Sequence, residues 1–152
     1  MIRAGRNQAT RRTSQAGSAL IELALLFTVI MLLLLGVIDF ALVIHQSMVV
    51  SEAAYAGAQY GAYSGNAANT AMMKTIATNS ATGIAGFSAT ATTWCACSAG
   101  GASVSCSSTC TSYGTPVMYV QVVTTATASL LFQYTGIPLS VPLTGTCILR
   151  VQ

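Results

Sequence analysis

Residues 23–38 read LALLFTVIMLLLLGVI, sixteen positions without a charge. At about 1.5 Å per residue they make about 24 Å of helix, against a bilayer hydrocarbon core of about 30 Å. The longer stretch 18–44 is enough to cross, with Glu22 and Asp39 falling near its two ends. A soluble core helix keeps a polar stripe, and this run has none. A secretory signal has an apolar region of about 7–15 residues followed closely by a small-residue cleavage site. Here the run is longer, and the next small cluster, 53–58, comes well after it. A membrane anchor is the reading that remains. Arg3, Arg6, Arg11 and Arg12 precede the run, and only Lys74 and Arg150 follow it. That asymmetry places the N-terminus in the cytoplasm and everything after about Ile44 outside.

Composition supports an anchor. The chain is 53% hydrophobic and 6% charged, whereas an ordinary soluble domain carries about 25% charged residues. The net charge of +3 describes a basic tail beside an apolar run and not a basic face. No cluster on a folded surface is offered to nucleic acid.

The helix is expected to continue past the bilayer. Residues 44–65, IHQSMVVSEAAYAGAQYGAYSG, contain no proline and end at Ser64-Gly65-Asn66, a plausible stop. Two small-residue stripes run along it, Ala53, Gly57, Gly61 and Ala54, Ala58, Ala62. Such stripes let another backbone approach closely. They serve either packing against the chain's own domain or packing against neighbouring helices, and different faces can do both. Tyr55, Tyr60 and Tyr63 are packing anchors for either surface.

Beyond this helix, TAMMKTIAT lies within a polar, Ala-rich stretch and predicts a short second helix. FSATATTW alternates and is Thr-rich, which suits a half-buried strand. CACSAGGASVSCSSTCTSYGTP reads as a loop. VMYVQVVTTATASLLF is the clearest strand, with a bend or break expected near Ala126–Ser129. LSVPLTGTCILRVQ supplies the last strand, with Pro142 placing its start at an edge or bend. Three or four consecutive strands with short connections predict an antiparallel sheet. The fold class is therefore α+β, a long helix followed by a short helix and a small sheet. The organisation is a basic segment 1–17, a transmembrane helix 18–44, its external continuation 45–65, and a small external domain 66–152.

Cys95, Cys97, Cys106, Cys110 and Cys147 all fall in the presumed external part, where disulfides persist and a small domain with a thin core gains from them. Cys95 and Cys97, two apart on a strand, point the same way without meeting, so each is expected to pair with Cys106 or Cys110. Nested and crossed orders remain open. Cys147 is the odd one: free, buried or paired between chains. The rival is zinc, because C-x-C-x8-C-x3-C could supply four thiolates.

Chemistry has little to work with. His45 is the only histidine, and Glu22, Asp39 and Glu52 are the only side-chain carboxylates, all on the first helix. Glu22 and Asp39 are about 25 Å apart along it and on different faces, so no acid pair forms within one chain. The sheet region offers no base to activate a Ser or Cys, and there is no Walker loop or dinucleotide fingerprint. His45 and Asp39 read as polar residues at the membrane boundary. Neither an enzyme nor a cofactor is expected.

Glu22 is the anomaly in a plain anchor, since a carboxylate in lipid costs a few kcal/mol even on lenient insertion scales. Its setting is a basic leader, then Gly17, then GSALIELALL with glutamate at the fifth position after the glycine, then GVIDFA with Gly36 and Asp39. This pattern, with AAYAGAQYGA, a C-x-C and the strand MYVQVV, resembles the TadE-like pseudopilins of the tight-adherence (Flp-type) pilus system, which share the type IV prepilin N-terminus. The resemblance implies cleavage between Gly17 and Ser18 by a prepilin peptidase. It implies a single-pass protein of the bacterial inner membrane with a periplasmic domain. The implied partners are other pilins and pseudopilins, the inner-membrane assembly platform and the lipid bilayer. Glu22 would then lie one helical turn from the new amine of Ser18, and a charge-assisted pair with that amine, or a neighbour's, would offset its burial. The resemblance also leaves room for incorporation into an extracellular pilus and a part in cell adhesion. An uncleaved single-pass protein with an external ligand-binding domain is the alternative.

Overall fold

The computed structural model describes residues 8–111, 114–132, 136 and 138–152; Arg3 and Arg6 of the basic leader lie outside the described residues. The elements are α1 (Gln8–Ala62), α2 (Thr70–Ser80), β1 (Ser88–Ala96), β2 (Ser103–Val104), β3 (Val117–Ser129) and β4 (Ser140–Arg150). The chain divides into two compact units, the first reaching to Phe40 and the second being Ala41–Gln152. The α+β class expected from the sequence is the one observed.

The first unit is the helical, apolar part of α1. From Leu20 to Phe40 most of its large side chains are exposed, among them Leu20, Leu25, Leu33 and Phe40 by about two thirds each, while Leu35 is partly covered and Asp39 buried. The helix from Gly17 is long and apolar enough to cross a membrane.

The second unit is a sheet with two helices on one face. Strand order is β2-β1-β3-β4, antiparallel throughout. Residues on β3 alternate, so Val120, Val122, Thr124, Ala126 and Ala128 turn inward and are buried. Their partners across the ladder, such as Ala91 opposite Val122 and Leu143 opposite Ala126, share that inner face. The C-terminal part of α1 runs antiparallel to β3 across this face. Val43 and Val50 pack with Ala126, Ala128 and Leu143, while Ala54 and Ala58 pack with Val120 and Val122. The outer face carries Trp94 stacked on Tyr119, ring centroids 6.0 Å apart.

The second helix begins where Asn69 caps it, its side-chain oxygen accepting from the Met72 amide at 3.1 Å, an orphan donor that would otherwise need water. It buries Met73 and Ala77. A bend or break is expected near Ala126–Ser129, and β3 ends at Ser129. The strand is continuous to Ser129 because each residue from Ala126 to Ser129 has a partner on β4, ending with Ser129 opposite Ser140. Pro142 sits in the edge strand β4, opposite Thr127, where a missing donor is tolerated.

Few large side chains fill this core. Met73, Val50, Val120 and Val122 are fully buried, worth about 1.5–3 kcal/mol each; much of the remainder is alanine. Covalent links supplement it. Cys95 joins Cys106 and Cys97 joins Cys110, with Cα separations of 5.1 and 5.6 Å. The order is crossed, one of the two alternatives open from sequence. All four thiols are consumed, so the zinc alternative fails, and no group of potential metal ligands exists among the described residues.

Candidate functional site

Three parts of α1 carry the candidate functional residues: its start at Gly17, its apolar middle and its small-residue end. Gly17, Ser18 and Glu22 are all exposed on helical backbone. A side chain at Gly17 would meet nothing within 4 Å, so packing does not require glycine at this position. Glu22 projects from the same exposed helix as Leu20, Ile21 and Leu23. Asp39 is buried to 3% exposure, while its neighbours Ile38 and Phe40 are exposed. His45 is exposed on the helix in the second unit.

The small-residue stripes have a definite occupant. Ala53, Ala54, Gly57, Ala58 and Gly61 are buried. A Cβ on Gly57 would stand 2.8 Å from the carbonyl oxygen of Met73, 3.2 Å from Cβ of Ala77 and 3.3 Å from a methyl of Val122. A Cβ on Gly61 would run into the end of the Met73 side chain. These positions bring α1 against the chain's own second helix and sheet. Of the two uses open to the stripes, the intramolecular one occupies this face. Tyr60 is half-buried against the same core, while Tyr55 and Tyr63 remain more than half exposed.

Two residues that hold α1 in place were not singled out in the sequence. The hydroxyl of Thr124 donates to the carbonyl oxygen of Val50 at 2.7 Å, buried, and lies 3.3 Å from the carbonyl of Gly145. Gly145 is where β4 passes closest to the helix: a Cβ there would be 2.7 Å from the Val50 oxygen and 2.9 Å from Cα of Ser51. The signal for Thr124 was available in principle. It is the polar residue in the inward phase of VMYVQVVTTATAS, and an inward hydroxyl needs an acceptor. At the far end of α1 the Gln152 amide donates to the Ala62 carbonyl at 3.0 Å, satisfying one of the orphan acceptors of the helix terminus.

Cys147 is the free cysteine among the described residues. It lies on β4 opposite Val122, partly buried against the core. Burial pushes its thiol up from the ordinary range.

The arrangement therefore consists of an exposed apolar helix whose C-terminal end is fastened to a disulfide-linked sheet. No curated protein and no solved structure matches the chain. Residues 17–59 match the family model described as TadE-like protein, and this interval begins at Gly17, contains Glu22 and Asp39, and ends within the fastened part of α1. The match covers the same stretch as the N-terminal pattern, and over residues 17–59 the chain is similar to TadE-like proteins.

Proposed function

We propose that the protein is a membrane-anchored pseudopilin, a minor structural component of a tight-adherence (Flp-type) pilus system. The observation that carries this reading is the TadE-like match over residues 17–59, which takes in the exposed apolar part of α1 and runs on into its buried C-terminal part. The role is one of packing and charge pairing. A prepilin peptidase cuts between Gly17 and Ser18, so that the mature chain begins SALIEL. The helix 18–44 is held in the inner membrane with its N-terminus cytoplasmic and the sheet domain periplasmic. From there it associates with other pilins and pseudopilins and with the assembly platform. Glu22 pairs with the new amine of Ser18 or of a neighbour, since an ionised carboxylate in lipid is otherwise costly. Asp39 marks the outer end of the span. The stripe of Ala53, Gly57 and Gly61 fixes the domain on its own helix, leaving the apolar segment before it for neighbouring helices.

The intact mass of the protein, expressed in a host carrying the peptidase, tests this directly. The expected mass is that of a chain starting at Ser18, and Gly17→Val abolishes the cut. A functional protein retaining Met1 refutes processing. Glu22→Ala is expected to be cleaved normally yet to lose co-purification with pilin partners. Full recovery of those partners refutes the charge-pair role.

A further inference from the structure

The sheet ends in an open edge at β4. An antiparallel ladder turns alternate residues toward its partner, and one bond fixes the phase. The Val151 amide donates to the Met118 carbonyl at 2.9 Å, so Leu149, Cys147, Gly145 and Leu143 face β3. Thr144, Thr146, Ile148 and Arg150 then direct their N–H and C=O groups away from the sheet. All four are exposed, and no strand lies beside them among the described residues. Such an edge is a template for another strand unless a charge, a proline, a bulge or extreme shortness blunts it. Residues 143–149, LTGTCIL, hold neither charge nor proline. Pro142 and Arg150 stand only at the two ends of that stretch.

The opposite edge is closed in part. The short β2 pairs with Cys95 and Ala96 alone. Cys95 faces β2, so by the same alternation Ala89, Ala91 and Thr93 turn their backbone groups to that side. Along residues 88–94 no strand lies there among the described residues.

The two open edges match. β1 and β4 both run antiparallel to β3, so they point the same way. Their open stretches, 88–94 and 144–150, are equal in length. A second copy displaced sideways without rotation sets its β1 beside the first copy's β4, with the helix-bearing faces on one side. Four strands at about 4.8 Å span about 19 Å. Two helices about 10 Å apart need about the same width, so helices of adjacent copies have room. Chains anchored in one membrane share this orientation, which rests on the reading of 18–44 as the span.

We propose that copies of this chain join edge to edge, β4 of one pairing in parallel with β1 of the next. Main-chain bonds supply the affinity, as in other cases of strand addition. The occupant is a second copy because one chain carries both halves of the joint, matched in length and direction. β2 ends the pairing by covering β1 from Cys95 onward. The joint is head-to-tail, so it extends rather than closes.

Sedimentation equilibrium of full-length protein in detergent tests it with two variants. At an outward-facing position proline removes one free donor and leaves the β3 ladder intact. Thr146→Pro blocks β4 and keeps β1 open; Thr93→Pro does the reverse. The parent is expected to form a concentration-dependent series of oligomers. Each variant alone should associate about tenfold more weakly, the cost of a carbonyl left without its donor. Mixed in equal amounts, the variants should recover a dimer and nothing larger, through β4 of Thr93→Pro and β1 of Thr146→Pro. A parent that stays monomeric overturns the proposal, as do variants that associate like the parent or a mixture of folded variants without the dimer. Hydrogen exchange of the parent reads the edge without any substitution. The Thr144, Thr146 and Ile148 amides should exchange several-fold more slowly in concentrated than in dilute protein, while those of Cys147 and Leu149 stay protected in both. Equal exchange of the outward amides at both concentrations overturns the joint, even where a proline variant fails to fold. Flotation with lipid vesicles is read separately: protein that does not float refutes the membrane span, whereas floating protein with a freely exchanging edge refutes the joint alone.

Discussion

Gly57 and Gly61 lie one turn apart in the same stripe, yet alanine should act differently at each. Alanine is favoured over glycine inside a helix by about 0.8–1.0 kcal/mol, so both substitutions begin with that gain. At Gly57 the added methyl meets three groups that cannot swing away: the Met73 carbonyl at 2.8 Å, Ala77 Cβ at 3.2 Å and a Val122 methyl at 3.3 Å. Two of these belong to α2 and one to β3, so relief requires moving a helix or a strand. Overpacking of this kind costs about 1–3 kcal/mol. A cost in the upper part of that range, as expected where the nearest obstruction is backbone, less the propensity gain leaves a net loss of about 1–2 kcal/mol, or about 4–16 °C in Tm at about 4–8 °C per kcal/mol for a domain near this size. At Gly61 the obstruction is the flexible end of Met73, which can adopt another rotamer at lower cost. There the two terms nearly cancel, and stability should stay within about 1 kcal/mol of the parent. Thermal unfolding of full-length protein in detergent, followed by near-ultraviolet circular dichroism, reads both. A Gly57→Ala protein as stable as the parent, or a Gly61→Ala protein less stable than Gly57→Ala, would refute the assignment of this face to intramolecular packing.

Thr124→Val removes the buried hydroxyl that donates to Val50 while keeping its shape, and should cost about 1 kcal/mol; Thr124→Ser, which keeps the donor, should retain that bond, as denaturant titration of both variants will show. Replacing Cys95 and Cys106 together by alanine opens a link with a sequence separation of 11 and should cost up to about 3 kcal/mol. Electrophoretic mobility under non-reducing conditions should confirm that the Cys97–Cys110 link still forms. For Cys147 the thiol pKa is raised by burial, so the folded protein holds the proton more tightly than the unfolded chain. That contribution to stability is complete below the ordinary thiol range of about 8.5 and is lost as pH climbs through the folded value. Stability measured above about pH 8.5 should therefore decline more steeply in the parent than in Cys147→Ala. At neutral pH, iodoacetamide should modify Cys147 slowly until the protein is denatured.

The order of elements was legible because each has a strong local cause. A charge-free run and a Thr-rich alternation each fix their structure with little help from distant residues, whereas the Cys-Gly-Ser segment read as a loop also holds β2, which forms only by pairing with the end of β1. The end of β3 shows where local reasoning needs the partner strand. Ala126 and Ala128 have weak strand propensity, but β4 pairs with every residue there and the ladder decides the conformation. The stripes were visible as spacing, whereas their occupant was not, because nothing in Ala53, Gly57 and Gly61 distinguishes a neighbouring helix from Met73 and Val122. Gly145 was missed for a related reason. A glycine in a strand signals a close approach without naming what approaches, here Val50 and Ser51.

The antiparallel alignment of α1 and β3 has a mechanical meaning. Between Val50 and Ala62 the helix is joined to the sheet by the Thr124 hydrogen bond near one end, the Gln152 amide at the other, and close packing at Gly57 between them. A pull along the helix axis loads these attachments in shear, together, so that release requires them to fail at once. A pull across the axis would peel them one after another. The joint is therefore stiffest along the line in which the helix itself would transmit tension.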